Sequence, residues 1–213
     1  MSYLTSITLF ILKGSILTLQ IYAVTMIFSI PLGLVCAMGK ISKIKFLRFL
    51  LGIYTTIVRG TPLLLQLYFT YFGLSVVGIN LSPFIAAAIT FIINYAAYYT
   101  EIFRGGLQSI DKGQFEAAKT LGMDYKQTMK RIIIPQTFAR VLPPISNEAI
   151  NLVKDTALVT VIGMPEILKA AKEILNRDFV ITPFVIAAAI YLCLTFVIVY
   201  IFRKLEEKYV KYI

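Results

Sequence analysis

From Ile16 to Met38 the chain runs for 23 residues without a charged side chain. At a rise of about 1.5 Å per residue, a helix of that length crosses roughly 30 Å of hydrocarbon. Pro183 to Phe202 is a second run free of charge. Inside a bilayer each backbone N–H and C=O must be satisfied internally, and a helix does this within its own run. Only 15% of the 213 residues are charged and mean hydropathy is +0.80, whereas a soluble domain has about 25% charged residues. The class is therefore an all-α polytopic membrane protein forming a single domain over residues 1–213. The chain has no His, which excludes imidazole metal ligation and His-based catalysis. No Gly-x4-Gly-Lys-Ser/Thr loop is present, so the chain should not hydrolyse ATP itself. Cys36 and Cys193 lie in apolar runs and read as small buried residues rather than a disulfide. No cleavable N-terminal signal is evident.

Met1 to Lys13 places Leu4, Ile7 and Phe10 or Ile11 at helical spacing. This predicts an amphipathic lead-in along the interface, with a hairpin to the next segment as the alternative. Ile16–Met38 is the first span, kinked at Pro31 and Gly33, with Gln20 expected to hydrogen-bond a neighbouring helix. Leu50–Gly73 is the second. It contains Arg59-Gly60-Thr61-Pro62, and Pro62 removes a backbone donor, which predicts a bent or interrupted helix lining a polar cavity. Pro83–Phe103 is the third span. Its residues Asn94, Tyr98 and Glu101 are four and three apart, hence on one face, and Glu101 can pair with Arg104. The fourth span, about Ile132 to Leu152, has the weakest hydropathy. Ala157–Ile162 follows as a re-entrant or outer continuation. Pro165–Arg177 reads as a charged amphipathic helix outside the membrane, Pro183–Phe202 as the fifth span, and Arg203–Lys211 as a charged tail.

The basic residues test this topology, and they also explain the net charge of +10 without nucleic acid. With the N-terminus outside and the C-terminus inside, the inner loops hold Lys40, Lys43, Lys45 and Arg48, then six from Arg104 to Arg131, then Arg203, Lys204, Lys208 and Lys211. The outer segments hold Lys13, Lys169, Lys172 and Arg177. That excess inside is the orientation signal of a multi-pass protein.

Between the third and fourth spans lies Phe115-Glu116-Ala117-Ala118-Lys119-Thr120-Leu121-Gly122, with Ile134-Pro135-Gln136 further on. Asp111 can cap a helix here, the alanines favour it and leave it a small face, and Gly122 can end it. A coupling helix over about 112–124 results. Glu116-Ala117-Ala118, Gly122 and Ile134-Pro135 resemble the cytoplasmic coupling loop of ABC importer permeases, with Ile134 where the usual pattern has Leu. Arg59 to Gln66, Asn94 to Gly105, Gly113 to Ala118, Pro135-Gln136 and Lys154-Asp155-Thr156 look like the polar amino-acid subfamily of these permeases. One departure is Thr156-Ala157-Leu158, where the subfamily often has Thr-Ser-Leu.

The resemblance implies a type I importer permease of five transmembrane helices in a prokaryotic cytoplasmic (cell inner) membrane. It implies pairing as a homo- or heterodimer. It also implies an ATP-binding cassette subunit docked on Glu116, Ala117, Ala118, Leu121 and Gly122, and an external amino-acid-binding protein. ATP and Mg belong to the partner, so no cofactor or metal is expected in this chain, and it is not itself an enzyme. An autonomous channel or secondary transporter, or a membrane anchor without a pathway, are the rival classes. The visible lack of internal repeats weighs against the first, and charges inside three spans weigh against the second.

A free amino acid presents an ammonium and a carboxylate, and a membrane site must neutralise both. Gln66, Asn94, Glu101 and Asp155 are the leading substrate-binding candidates, followed by Tyr54, Thr55, Tyr98, Glu148 and Asn151. Arg59 is either a carboxylate clamp or a helix-end anchor. Arg104 and Lys154 are expected to pair internally with Glu101 and Asp155. A cationic substrate needs a second carboxylate, and Glu101 and Asp155 could fill both roles. This inclines the reading towards Arg, Lys or His, with Gln or Glu as the alternative.

Overall fold

In a computed structural model that describes residues 3–209, ten α-helices follow one another without strands among the described residues. They are α1 (Tyr3–Ile41), α2 (Lys45–Gly60), α3 (Leu63–Tyr68), α4 (Leu74–Val76), α5 (Pro83–Gln108), α6 (Lys112–Thr120), α7 (Tyr125–Thr128), α8 (Ile134–Asp155), α9 (Ile167–Asp178) and α10 (Thr182–Tyr209). Single π-turns join α3 to α4 and α7 to α8, and a 3-10 segment, Thr156–Ile162, follows α8.

Among the described residues three helices, α1, α5 and α10, are long and apolar enough to cross a membrane, and the bent pair from Lys45 to Val76 passes the same test when its two pieces are taken as one span. Helix α8, with 22 residues, is long enough for a fifth but too polar to be recognised by composition. The expected Ile132–Leu152 span is thus shifted slightly towards the C-terminus. Pro135 sits in its first turn while Pro143 and Pro144 lie inside it.

α5 is the centre of the molecule, packed against α1, α2, α3 and α8. Lipid tails are as apolar as Leu, so membrane helices associate through close packing of small residues rather than through hydrophobic burial. α1 accordingly buries Gly14, Ser15, Thr18, Thr25, Ser29, Gly33 and Ala37 along one stripe, and α5 buries Ala86, Ala87, Ala96 and Ala97. At Gly33 an added Cβ would come within 2.6 Å of the Tyr99 Cβ. Ile21, Leu67, Phe91, Tyr95, Tyr99, Val141 and Leu152 fill the space where these helices meet.

Several expectations change. The separate lead-in does not form: residues 3–13 are the first turns of a 39-residue α1, about 58 Å long, while Met1 and Ser2 lie outside the described residues. Ile7 and Ile11 pack under α9, which gives those turns a protein surface to bury against. Pro31 lies inside this helix without ending it. Gln20 is exposed and makes no hydrogen bond among the described residues, because it points away from the α5-facing stripe. Cys193 is exposed and Cys36 half-buried, both as free thiols. Cys193 lies on the outward side of α10, which is only 11% buried over its most apolar window. α10 also absorbs most of the charged tail, continuing to Tyr209. Lys211 lies outside the described residues.

α9 carries charge on one face only. Ile167, Ala170, Ala171 and Ile174 are buried against α1 and α10. Its cap is the fully buried Glu166, which accepts from the backbone N–H of Leu168 (2.8 Å) and Lys169 (2.7 Å) and from the Tyr191 hydroxyl (2.6 Å).

Candidate functional site: a charged cavity at a broken helix

The expected interruption at Pro62 is a sharp turn. α2 stops at Gly60, and the two helical pieces meet at 104°. Thr61 is extended (φ −118°, ψ 145°), the conformation favoured before proline. Pro62 has no N–H, so the Val58 carbonyl loses the helical donor it would otherwise have. The side chain of Gln66 supplies one: its Nε2 donates to the Val58 carbonyl at 2.8 Å, and also lies 3.1 Å from the Thr61 carbonyl and 2.8 Å from its Oγ1. Asn94 Nδ2 then donates to Gln66 Oε1 at 3.0 Å, which ties the break to α5.

The break opens a cavity of about 760 Å³, within the range of small-molecule sites. Arg59, Gly60 and Pro62 form one side, Asn94, Tyr95 and Tyr98 of α5 another, and Glu148, Asn151, Lys154 and Asp155 of α8 the third. Glu148, Asn151 and Asp155 are spaced three and four apart, so one helix face presents all three. The Arg59 guanidinium stands 5.3 Å from the Tyr98 ring centroid, a cation–π contact that holds it over the cavity. Tyr95 donates its hydroxyl to Asp155 Oδ2 at 2.7 Å. Arg59, Glu148, Lys154 and Asp155 make no ion pair among the described residues. Two cations and two carboxylates therefore face one hollow, with Arg59 and Lys154 exposed and Glu148 and Asp155 partly buried.

Of the ten residues expected to bind substrate, Arg59, Asn94, Tyr98, Glu148, Asn151 and Asp155 are brought together here. Gln66 is occupied with the backbone of the break and is not on the cavity wall. Tyr54 donates to the Ile93 carbonyl at 2.6 Å, also away from it. Thr55 and Glu101 line a separate, smaller hollow. Glu101 pairs with Arg104 as expected, at 2.9 Å to Nε and 2.7 Å to Nη2. It also pairs with Lys40, whose ammonium donates to Thr55 Oγ1 at 2.8 Å. The expected Lys154–Asp155 pair does not form, since adjacent residues on a helix do not face each other. Tyr95 takes that carboxylate instead. Tyr95 and Lys40 were missed by sequence reasoning. Each meets its carboxylate partner across about 60 positions, and nothing local signals such pairings.

At the other motif, Asp111 caps α6 by accepting from the Gly113 N–H at 2.6 Å. The helix ends at Thr120, shorter than the expected 112–124, with Gly122 left-handed at φ 73°. The Met123 N–H closes the end on the Ala118 carbonyl at 3.0 Å. Ala118 is buried against its own chain, whereas Glu116, Ala117, Leu121 and Gly122 are exposed, Leu121 at 77%. Gln136 donates to Gln114 at 3.1 Å, so this knob is fastened to the start of α8.

Residues 29–211 match the family described as "Binding-protein-dependent transport system inner membrane component". The chain is 40% identical over 201 residues to the arginine transport system permease protein ArtQ of Bacillus subtilis, covering 93% of this chain and 92% of that one. It is 38% identical over 205 residues to a putative glutamine transport system permease protein of Rickettsia bellii, covering 94% and 93%. Among solved structures, an amino acid ABC transporter crystallised with histidines matches at a TM-score of 0.88 and 34% identity, over 98% of this chain and 99% of that one.

Proposed function

Given that the chain belongs to the family of binding-protein-dependent transport system inner membrane components, we propose that it is the permease subunit of an ATP-driven importer of polar amino acids, with basic amino acids (Arg, Lys, His) as its substrates. The observation that carries this reading is the cavity at the broken helix. A zwitterion placed there meets Arg59 with its carboxylate and Glu148 or Asp155 with its ammonium. The second carboxylate is left for a cationic side chain. Glu101, which the sequence suggested for one of these roles, is already paired with Lys40 and Arg104, so Glu148 takes its place. Relatives named for arginine and for glutamine transport are similarly close to this chain. Gln or Glu is therefore the second reading, favoured by Lys154, which offers a further cation on the same wall.

In this proposal the N-terminus lies outside and the C-terminus in the cytoplasm. A second permease chain, identical or homologous, completes the pathway. An ATPase subunit docks on the exposed face of α6, and an external binding protein delivers the amino acid. ATP binding closes the ATPase pair, α6 moves with it, and the helices tilt to alternate access. Hydrolysis resets them.

The test is ligand binding. The permease is purified with its ATPase, and thermal shifts are recorded against twenty amino acids. Arg, Lys or His should stabilise the wild type, and Glu148→Gln should remove at least nine-tenths of that affinity. Stabilisation by Gln or Glu instead overturns the basic class and leaves the permease reading standing. No shift with any amino acid assigns selection to the binding protein alone.

A further inference from the structure

The second hollow, of about 410 Å³, is lined by Lys40, Thr55, Thr56, Arg59, Gly60 and Glu101. Arg59 and Gly60 belong to both walls, so both hollows border the last turn of α2. Glu101 is seven residues beyond Asn94 on α5, about 10 Å further along the helix, on the side that leads to α6.

We infer that this second hollow is a downstream station for the same amino acid, reached through a neck formed by Arg59 and Gly60. The inference rests on the import function proposed above. Three observations support it. First, the guanidinium of Arg59 has no carboxylate partner among the described residues and borders both spaces. A substrate carboxylate can pivot on it from one hollow into the next without being left unpaired, and unpaired transfer is the costly event in a low-dielectric path. Second, a Cβ built on Gly60 meets nothing within 4 Å, and the backbone there has no positive φ. Neither packing nor conformation requires glycine at this position. What its missing side chain does is keep the neck wide. Third, the far wall is held together by polar contacts. Glu101 is bound by Lys40 and Arg104, and Lys40 also by Thr55. With Lys40 and Arg59 against a single, already paired Glu101, the lining suits a carboxylate.

The experiment uses the complete transporter, with ATPase and binding protein, in proteoliposomes. Thr56 lines only the second hollow and is exposed, so Thr56→Phe fills that space without crowding the core. Its thermal stabilisation by the amino acid should match wild type while uptake falls at least tenfold. Gly60→Leu narrows the neck itself and should also lower uptake at least tenfold. If Thr56→Phe fails to assemble, Gly60→Leu alone decides. Wild-type uptake by either variant overturns the inference. A wild-type complex that neither binds nor imports any amino acid overturns the import function itself, and this inference with it.

Discussion

Gln66 shows how one side chain can repair a backbone defect. Pro62 deprives the Val58 carbonyl of its helical donor, and the Gln66 amide restores one at 2.8 Å. Asn94 in turn holds Gln66. Gln66→Leu would leave the Val58 carbonyl with only the 3.5 Å contact from Asn94, and would take from Asn94 its shorter hydrogen bond. The expected loss is roughly 1–3 kcal/mol, the usual penalty for a buried polar group without its partner. Thermal unfolding of the purified chain measures it, and an unchanged midpoint would mean that the break is held by packing alone. The sequence pointed to Gln66 as a substrate-binding residue, but could not say that its amide donates along its own chain rather than into the cavity. Polar type is a property of the residue. Direction depends on the 104° turn.

At the scale of elements, α1 and α5 touch through absence of side chain. Gly33 is the tightest point, since an added Cβ would also lie 3.1 Å from the Ala96 carbonyl and the Thr100 N–H. Backbone cannot give way as a flexible side chain can. Gly33→Leu should therefore force the helices apart and destabilise by about 1–3 kcal/mol or more, the range for overpacked cores. The check is the thermal midpoint of the detergent-solubilised protein beside that of Gly52→Leu, at a glycine whose Cβ meets nothing within 4 Å. Equal midpoints would refute close packing as the bond between these helices. Element existence was legible wherever apolar runs were long, as in α1, α5 and α10. Element ends were not. α1 begins earlier than the charge-free run because α9 covers Ile7 and Ile11, and α8 was the weakest signal because its polar face lines a cavity instead of meeting lipid.

For the whole molecule, the exposed part of α6 is where work would be transmitted. Glu116→Lys reverses a charge on that face without touching the buried Ala118. Insertion and amino-acid binding should be unchanged, while substrate-stimulated ATP hydrolysis by the assembled complex falls at least tenfold. Retained stimulation would move the docking surface elsewhere. Hydropathy by itself determined that this chain is a helical membrane protein, since lipid leaves an uninterrupted apolar run no other way to satisfy its backbone. Local sequence determined the break at Pro62 and the cap at Asp111, because these depend on neighbours within a turn or two. Only the tertiary structure decided which charges share a space. The pairing of Lys40 with Glu101, the bond from Tyr95 to Asp155, and the convergence of Arg59 with Glu148 all join residues about 60 or more positions apart. Side chains that distant meet through the packing of whole helices, which no local pattern encodes.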